Sequence, residues 1–187
     1  MGTTAAVGEV TVTPVYWAPN GYPLSPSYQS IINGFLSNVA ADSGRPTNVF
    51  ASLAQYTNAS GVHLSDSMHA GAPITDTDAY PSSPAGCSPD AGAVYADTSG
   101  YRACVTDVQL QTEVVAFLAA RALPSDTGHL YVVLLPKGVE SCFTSADGQA
   151  GGECSLNSST GKFNASTNAT ASSFCGYHSV VGGNSSA

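Results

Sequence analysis

Apolar positions alternate with polar ones in parts of this chain, recur at helical spacing in others, and thin out elsewhere. Residues 10–17 (VTVTPVYW) alternate and are rich in β-branched and aromatic side chains, which predicts a strand. Pro14 has no N–H to give, so the strand is expected at an edge or at a bulge. Tyr28, Ile31, Ile32, Phe35, Leu36 and Val39 then form one continuous helical face. Ser25 and Pro26 open that helix as cap and first-turn proline, and Asp42-Ser43-Gly44 closes it. A shorter helix is expected over 48–56, with Val49, Phe50, Leu53 and Tyr56 on one side. Residues 58–86 show no helical period. Within them 62–70 read as an irregular strand that turns at 71–73, and Asp76 and Asp78 continue as loop. Thr106 and Gln109 make a capping box for a third helix running to about Leu123, with Leu110, Val114, Phe117 and Leu118 inward and Pro124 as its stop. Residues 129–136 (HLYVVLLP) are a continuous apolar run, expected to be a strand buried on both faces. A last strand is expected over 174–181.

That order predicts an α/β fold with a mixed, mostly parallel sheet and three helices. Residues 1–187 are read as a single domain, since that length suits one core. Residues 1–8 form a loose terminus, and 141–173 a low-complexity loop of Ser, Asn, Gly and Thr.

Composition adds the compartment. Only 10% of residues are charged, against about 25% in an ordinary soluble protein. Polarity comes from hydroxyl and amide side chains instead, as in secreted proteins. The net charge of −8, without a basic cluster, makes the chain a poor ligand for nucleic acid or an anionic membrane surface. No apolar stretch reaches the 18 or so residues that would insert in a membrane.

The chain has 5 cysteines: Cys87, Cys104, Cys142, Cys154 and Cys175. None stands in a C-x-x-C pair, so disulfides in an oxidising compartment are expected rather than a structural zinc. Cys87–Cys104 and Cys142–Cys154 each bracket a loop and are the preferred pairs, leaving Cys175 unpaired; spacing alone does not fix the connectivity. Asn58, Asn157, Asn164, Asn168 and Asn184 head Asn-x-Ser/Thr sequons, although a chain this rich in Asn, Ser and Thr makes such triplets by chance.

Several landmarks recur in order: Val15-Tyr16-Trp17, the helix from Ser25, Gln55-Tyr56-Thr57, Thr106 to Gln111, Tyr131 to Pro136, and Phe174-Cys175-Gly176-Tyr177-His178-Ser179. Together they resemble the exordium-like, phosphate-induced extracellular proteins, in particular their bacterial relatives, over roughly residues 10–181. The Cys-Gly-Tyr-His-Ser segment carries most of that resemblance. In the family the chain continues into a helix with a His-Glu pair and a further cysteine. The resemblance therefore implies that 1–187 is the N-terminal part of a larger domain, that Cys175 pairs with that further cysteine, and that zinc enters only with a continuation beyond residue 187. A zincin-like N-terminal half follows as an analogy of fold.

Within the chain itself, His63 and His69 lie near Asp66, Asp76 and Asp78, a candidate nitrogen and oxygen metal pocket whose spacing matches no defined motif. His178 is a candidate ligand or polariser beside Tyr177 and Ser179, and His129 reads as structural. No Gly-x-Ser-x-Gly is present, and Cys175 with His178 would point to opposite faces of a strand. No carboxylate pair is singled out. Tyr16, Trp17, Tyr22, Tyr80, Tyr95 and Tyr101 are candidate sugar-stacking surfaces or core anchors. The catalytic residues stay unassigned, and no cofactor is expected in this chain. Three functions are expected in turn: a secreted exordium-like domain at the cell envelope without complete catalytic machinery; the N-terminal half of a zinc-dependent peptidase-like hydrolase; and a module binding cell-wall polysaccharide or an extracellular protein.

Overall fold

The computed structural model describes residues 8–57, 61–82, 103–143 and 176–179. Its elements are β1 (Val10–Trp17), α1 (Pro26–Ala41), a short 3-10 turn (Ala51–Gln55), β2 (Met68–Ala70), β3 (Ile74–Asp76), β4 (Ala103–Thr106), α2 (Asp107–Ala120), β5 (His129–Leu134) and β6 (Val139–Cys142). The chain divides into two compact units, Met1–Asp78 with Pro124–Pro136, and Ala79–Leu123 with Lys137–Ala187. The architecture is mixed α/β with small parallel ladders.

In the first unit β1 is the central strand. It pairs in parallel with β5 on one side and with β2 and then β3 on the other. The expected edge position for Pro14 is therefore wrong, since β1 has partners on both sides. Thr11 N–H donates to Gly128 O on the β5 side (2.8 Å). Val10 N–H donates to Ser67 O (3.2 Å), and Gly71 N–H donates to Val12 O (2.9 Å), on the β2 side. Backbone polar groups alternate between the two sides of a strand, so Pro14 belongs to the β2–β3 side. Residues 71–73 interrupt the neighbouring strand at that level, and the missing donor faces the interruption. Gly71 is required there, because a Cβ would collide with the Thr13 side chain and lie 3.2 Å from its Cα.

α1 forms as expected. Ser25 Oγ accepts from Tyr28 N–H at 3.1 Å, and Pro26 fixes the first turn. The face splits into two stripes, however. Leu36 and Val39 pack with Val12 and Met68, joined by Ile32, Ala40, Val10 and Val132. Tyr28, Ile31 and Phe35 remain exposed. The helix end is held by side chains. Asn48 is buried; its Nδ2 donates to Val39 O (3.0 Å) and its Oδ1 accepts from Phe50 N–H (2.8 Å). Ser43 Oγ donates to Met68 O (3.0 Å) and accepts from Met68 N–H (2.9 Å), which ties the helix exit to β2.

The expectation of three helices is corrected: two α-helices stand among the described residues. The segment expected as the second is the 3-10 turn, closed by Leu53 N–H to Phe50 O and Tyr56 N–H to Leu53 O. Asn48 side-chain bonds compete there with a regular first turn, and Val49, Phe50, Leu53 and Tyr56 are exposed instead of facing a core. The 62–70 strand shortens to β2, and β3 occupies residues expected to be loop. β5 is not buried on both faces. It pairs only with β1 among the described residues, and Leu130 is 49% exposed.

In the second unit β4 and β6 form a parallel pair running from Ala103↔Val139 to Thr106↔Cys142. Both were missed in the sequence, because four residues show no period. Thr106 ends β4 and caps α2: its Oγ1 accepts from Gln109 N–H (3.2 Å), and Gln109 Oε1 accepts from Thr106 N–H (3.0 Å). Val114, Phe117 and Leu118 are buried as expected. α2 ends at Ala120, before the expected Leu123. Ala122 takes a left-handed φ of 50°, while Ala122 N–H bonds Ala119 O (3.2 Å) and Leu123 N–H bonds Leu118 O (3.0 Å), a Schellman closure. Gly176, Tyr177, His178 and Ser179 are not in a strand. Residues 1–7 and most of 141–173 lie outside the described residues.

Candidate functional site

The polar groups of the first unit collect at the two ends of its parallel sheet. At the carboxyl end, where α/β sheets commonly bind ligands, most are tied into the scaffold, and carboxylate oxygens of Asp76 and Asp78 lie within 4.8 Å of each other. Tyr16 OH donates to Asn33 Oδ1 (2.8 Å) and to Gln29 O (3.2 Å), and burial raises its phenol above the ordinary range. Trp17 Nε1 donates to Asp78 O (2.8 Å), and Ala18 N–H donates to Asp76 O (2.8 Å). Asp76 is 3% exposed, and its Oδ1 accepts from Asp78 N–H (2.9 Å). Tyr16 and Trp17 are each 1% exposed, so neither offers a ring for stacking on sugar. Tyr22 and Tyr80 are half-buried, and Tyr95 and Tyr101 lie outside the described residues.

At the amino end the groups are open to solvent. His69 Nε2 meets Glu9 Oε2 at 2.9 Å, and Ser67 Oγ donates to Glu9 Oε1 at 3.3 Å. The His69 hydrogen bond comes first among the causes that hold the Glu9 carboxyl below its ordinary range, followed by Ser67. Ser67 and His69 both bond the carboxylate and not each other, so this is not a serine–histidine relay. On the far side of β1, His129 Nδ1 meets Asp126 Oδ1 at 2.7 Å, and Gly128 N–H donates to the same oxygen at 2.8 Å. These bonds, His129 first, lower the Asp126 carboxyl.

The histidine grouping expected from sequence is not assembled. His63 is exposed, paired with Thr57 in an isolated bridge, and its Nδ1 lies 2.8 Å from Ala54 O. His178 is exposed in the second unit, and none of these histidines belongs to a set of three converging metal ligands among the described residues. His129, read from sequence as structural, stands opposite Thr11 of β1, which pairs with His69 on its other side. Only strand order reveals that relation.

In the second unit Tyr177 packs its ring on Phe143 (centroids 4.9 Å apart). Burial, the largest cause, raises its phenol. Cys104 is fully buried and disulfide-bonded. Its partner is not among the described side chains, so the pairs Cys87–Cys104 and Cys142–Cys154 are not resolved. Cys175 and the sequons at Asn58, Asn157, Asn164, Asn168 and Asn184 also lie outside the described residues. No described helix is long and apolar enough to cross a membrane.

No protein-family model, curated protein or solved structure matches this chain.

Proposed function

We propose that this chain is a secreted, disulfide-containing domain of the exordium-like type, acting at the cell envelope, with cell-wall polysaccharide or an extracellular protein as its partner. The observation that carries the reading is Cys104, buried and disulfide-bonded in a chain with only 10% charged residues. A stable structural disulfide belongs to an oxidising compartment. The Cys175-Gly-Tyr-His-Ser179 segment supplies the resemblance to the family. At the carboxyl end of the sheet the polar groups serve as braces, which suits a binding role better than a catalytic one. The peptidase-like and zincin-like readings rest on that resemblance alone, since neither α1 nor α2 carries a histidine.

The test is thiol trapping in the native source. Cells are quenched in acid and fractionated, and each fraction is treated with a maleimide of high mass before and after reduction. The expected result is protein in the extracellular or wall fraction, with Cys104 modified only after reduction. Protein confined to the cytosol with every thiol reactive would overturn the proposal.

A further inference from the structure

Thr11 pairs with His69 on one neighbouring strand and with His129 on the other. Residues in register across a parallel sheet share a face, so the row His69–Thr11–His129 presents both imidazoles on one side. Glu9 lies just ahead of β1, two residues before Thr11, and reaches that side too, as its bonds to Ser67 and His69 require. The opposite side carries Val10, Val12 and Met68 against α1. Further along the same side, Thr13, Val15 and Trp17 are buried, whereas Glu9 and His69 are exposed and Thr11 and His129 half-buried. The polar group therefore occupies the solvent-open end of an otherwise closed surface.

We propose that His69, His129 and Glu9 form a divalent transition-metal site of the zinc class, closing over Thr11. Two imidazoles and one carboxylate are a set that zinc accepts with a position left open. The two histidines stand two strand spacings apart, roughly 10 Å between Cα atoms, a span that two rings leaning inward over a short threonine can bridge. Each histidine already has one ring nitrogen on a carboxylate, His129 through Nδ1 and His69 through Nε2. Asp126 orients the His129 ring as a carboxylate behind a metal-bound histidine does, leaving Nε2 to bind. Glu9 is the group that exchanges its bond to His69 for the metal. The donor atoms of all three do not yet lie within 4.8 Å of one another, so binding draws β5 and β2 side chains together across β1.

The test is calorimetric titration of the non-reduced full chain with Zn2+, free thiols blocked, beside imidazole NMR signals. The expected result is a histidine-dependent ion that shifts the His69 and His129 signals together. His69→Ala, His129→Ala and Glu9→Gln are each expected to weaken binding at least tenfold, while His63→Ala and His178→Ala leave it unchanged. Thermal melts of the variants confirm that they fold. Parent protein that takes up no Zn2+, or a folded His129→Ala variant that binds as tightly as the parent, overturns the site.

Discussion

β1 and β5 are paired strands of opposite fate. By composition β5 is the stronger candidate for a buried strand: an uninterrupted run of Leu, Tyr and Val. β1 alternates with threonine and contains a proline. Yet β1 is buried from Val12 through Trp17, whereas no residue of β5 reaches that state. Strand order decides the difference. β1 has partners on both sides and α1 over one face, while β5 has a partner on one side only among the described residues. Apolarity makes a strand able to be buried; its place in the sheet determines whether it is.

The sharpest way to break this comparison is to truncate one large side chain in each strand. Trp17→Ala removes a fully buried indole and its bond to Asp78 O, and should cost about 3–5 kcal/mol. Leu130→Ala, at a half-exposed position, should cost about 1 kcal/mol or less. Urea midpoints at constant slope measure both. Equal losses would show that β5 is as much a core strand as β1. Gly71→Ala comes next, since the added methyl must displace Thr13 in β1, at about 1–3 kcal/mol. Thr13→Ala combined with it should recover part of that loss, because the hydroxyl it removes is the nearest obstacle. A fully additive pair would mean that the β2–β3 interruption absorbs the methyl elsewhere.

Much of the local structure was legible because local chemistry determines it. Ser25 with Pro26, and Thr106 with Gln109, place helix starts correctly, since a cap is satisfied within a few residues of itself. The spacing of Val114, Phe117 and Leu118 likewise identified the buried side of α2. Long-range relations were not legible. Nothing near Pro14 announces that residues 71–73 will interrupt the strand opposite it. Nothing near His129 shows that its row partner is Thr11 and that His69 lies one strand further. The short strands β3, β4 and β6 have too few residues to show a period. The resemblance that located Cys175 and His178 spoke of family character and not of which side chains meet.

A change outside both strands calibrates these effects. Ala122 adopts a left-handed backbone at the end of α2, which costs a residue with a Cβ roughly 1 kcal/mol. Ala122→Gly should stabilise by about that amount, because the Schellman bonds it closes stay in place. The gain should appear as a raised urea midpoint. A loss instead would mean that the glycine's freedom in the unfolded chain outweighs the relief of strain.

The smallest effect separates the amino ends of the two strands. Glu9 enters β1 and Asp126 precedes β5, and the His69 and His129 hydrogen bonds are the leading causes that lower the respective carboxyls. A carboxyl lowered in the fold contributes stability that is complete above its unfolded pKa, about 4, and is lost as pH falls through the lower folded value. Thermal midpoints should therefore decline as pH drops from about 5 toward 2.5, and Glu9→Gln should flatten part of that decline. Asp126→Asn should flatten another part while keeping the acceptor for Gly128 N–H, because the amide oxygen can occupy the place of Oδ1. Both carboxylates are exposed and screened, so the slopes will be slight and steeper at low salt. If the parent and the double variant give parallel curves at low salt, neither strand is anchored by its carboxylate, and the difference between β1 and β5 lies wholly in packing.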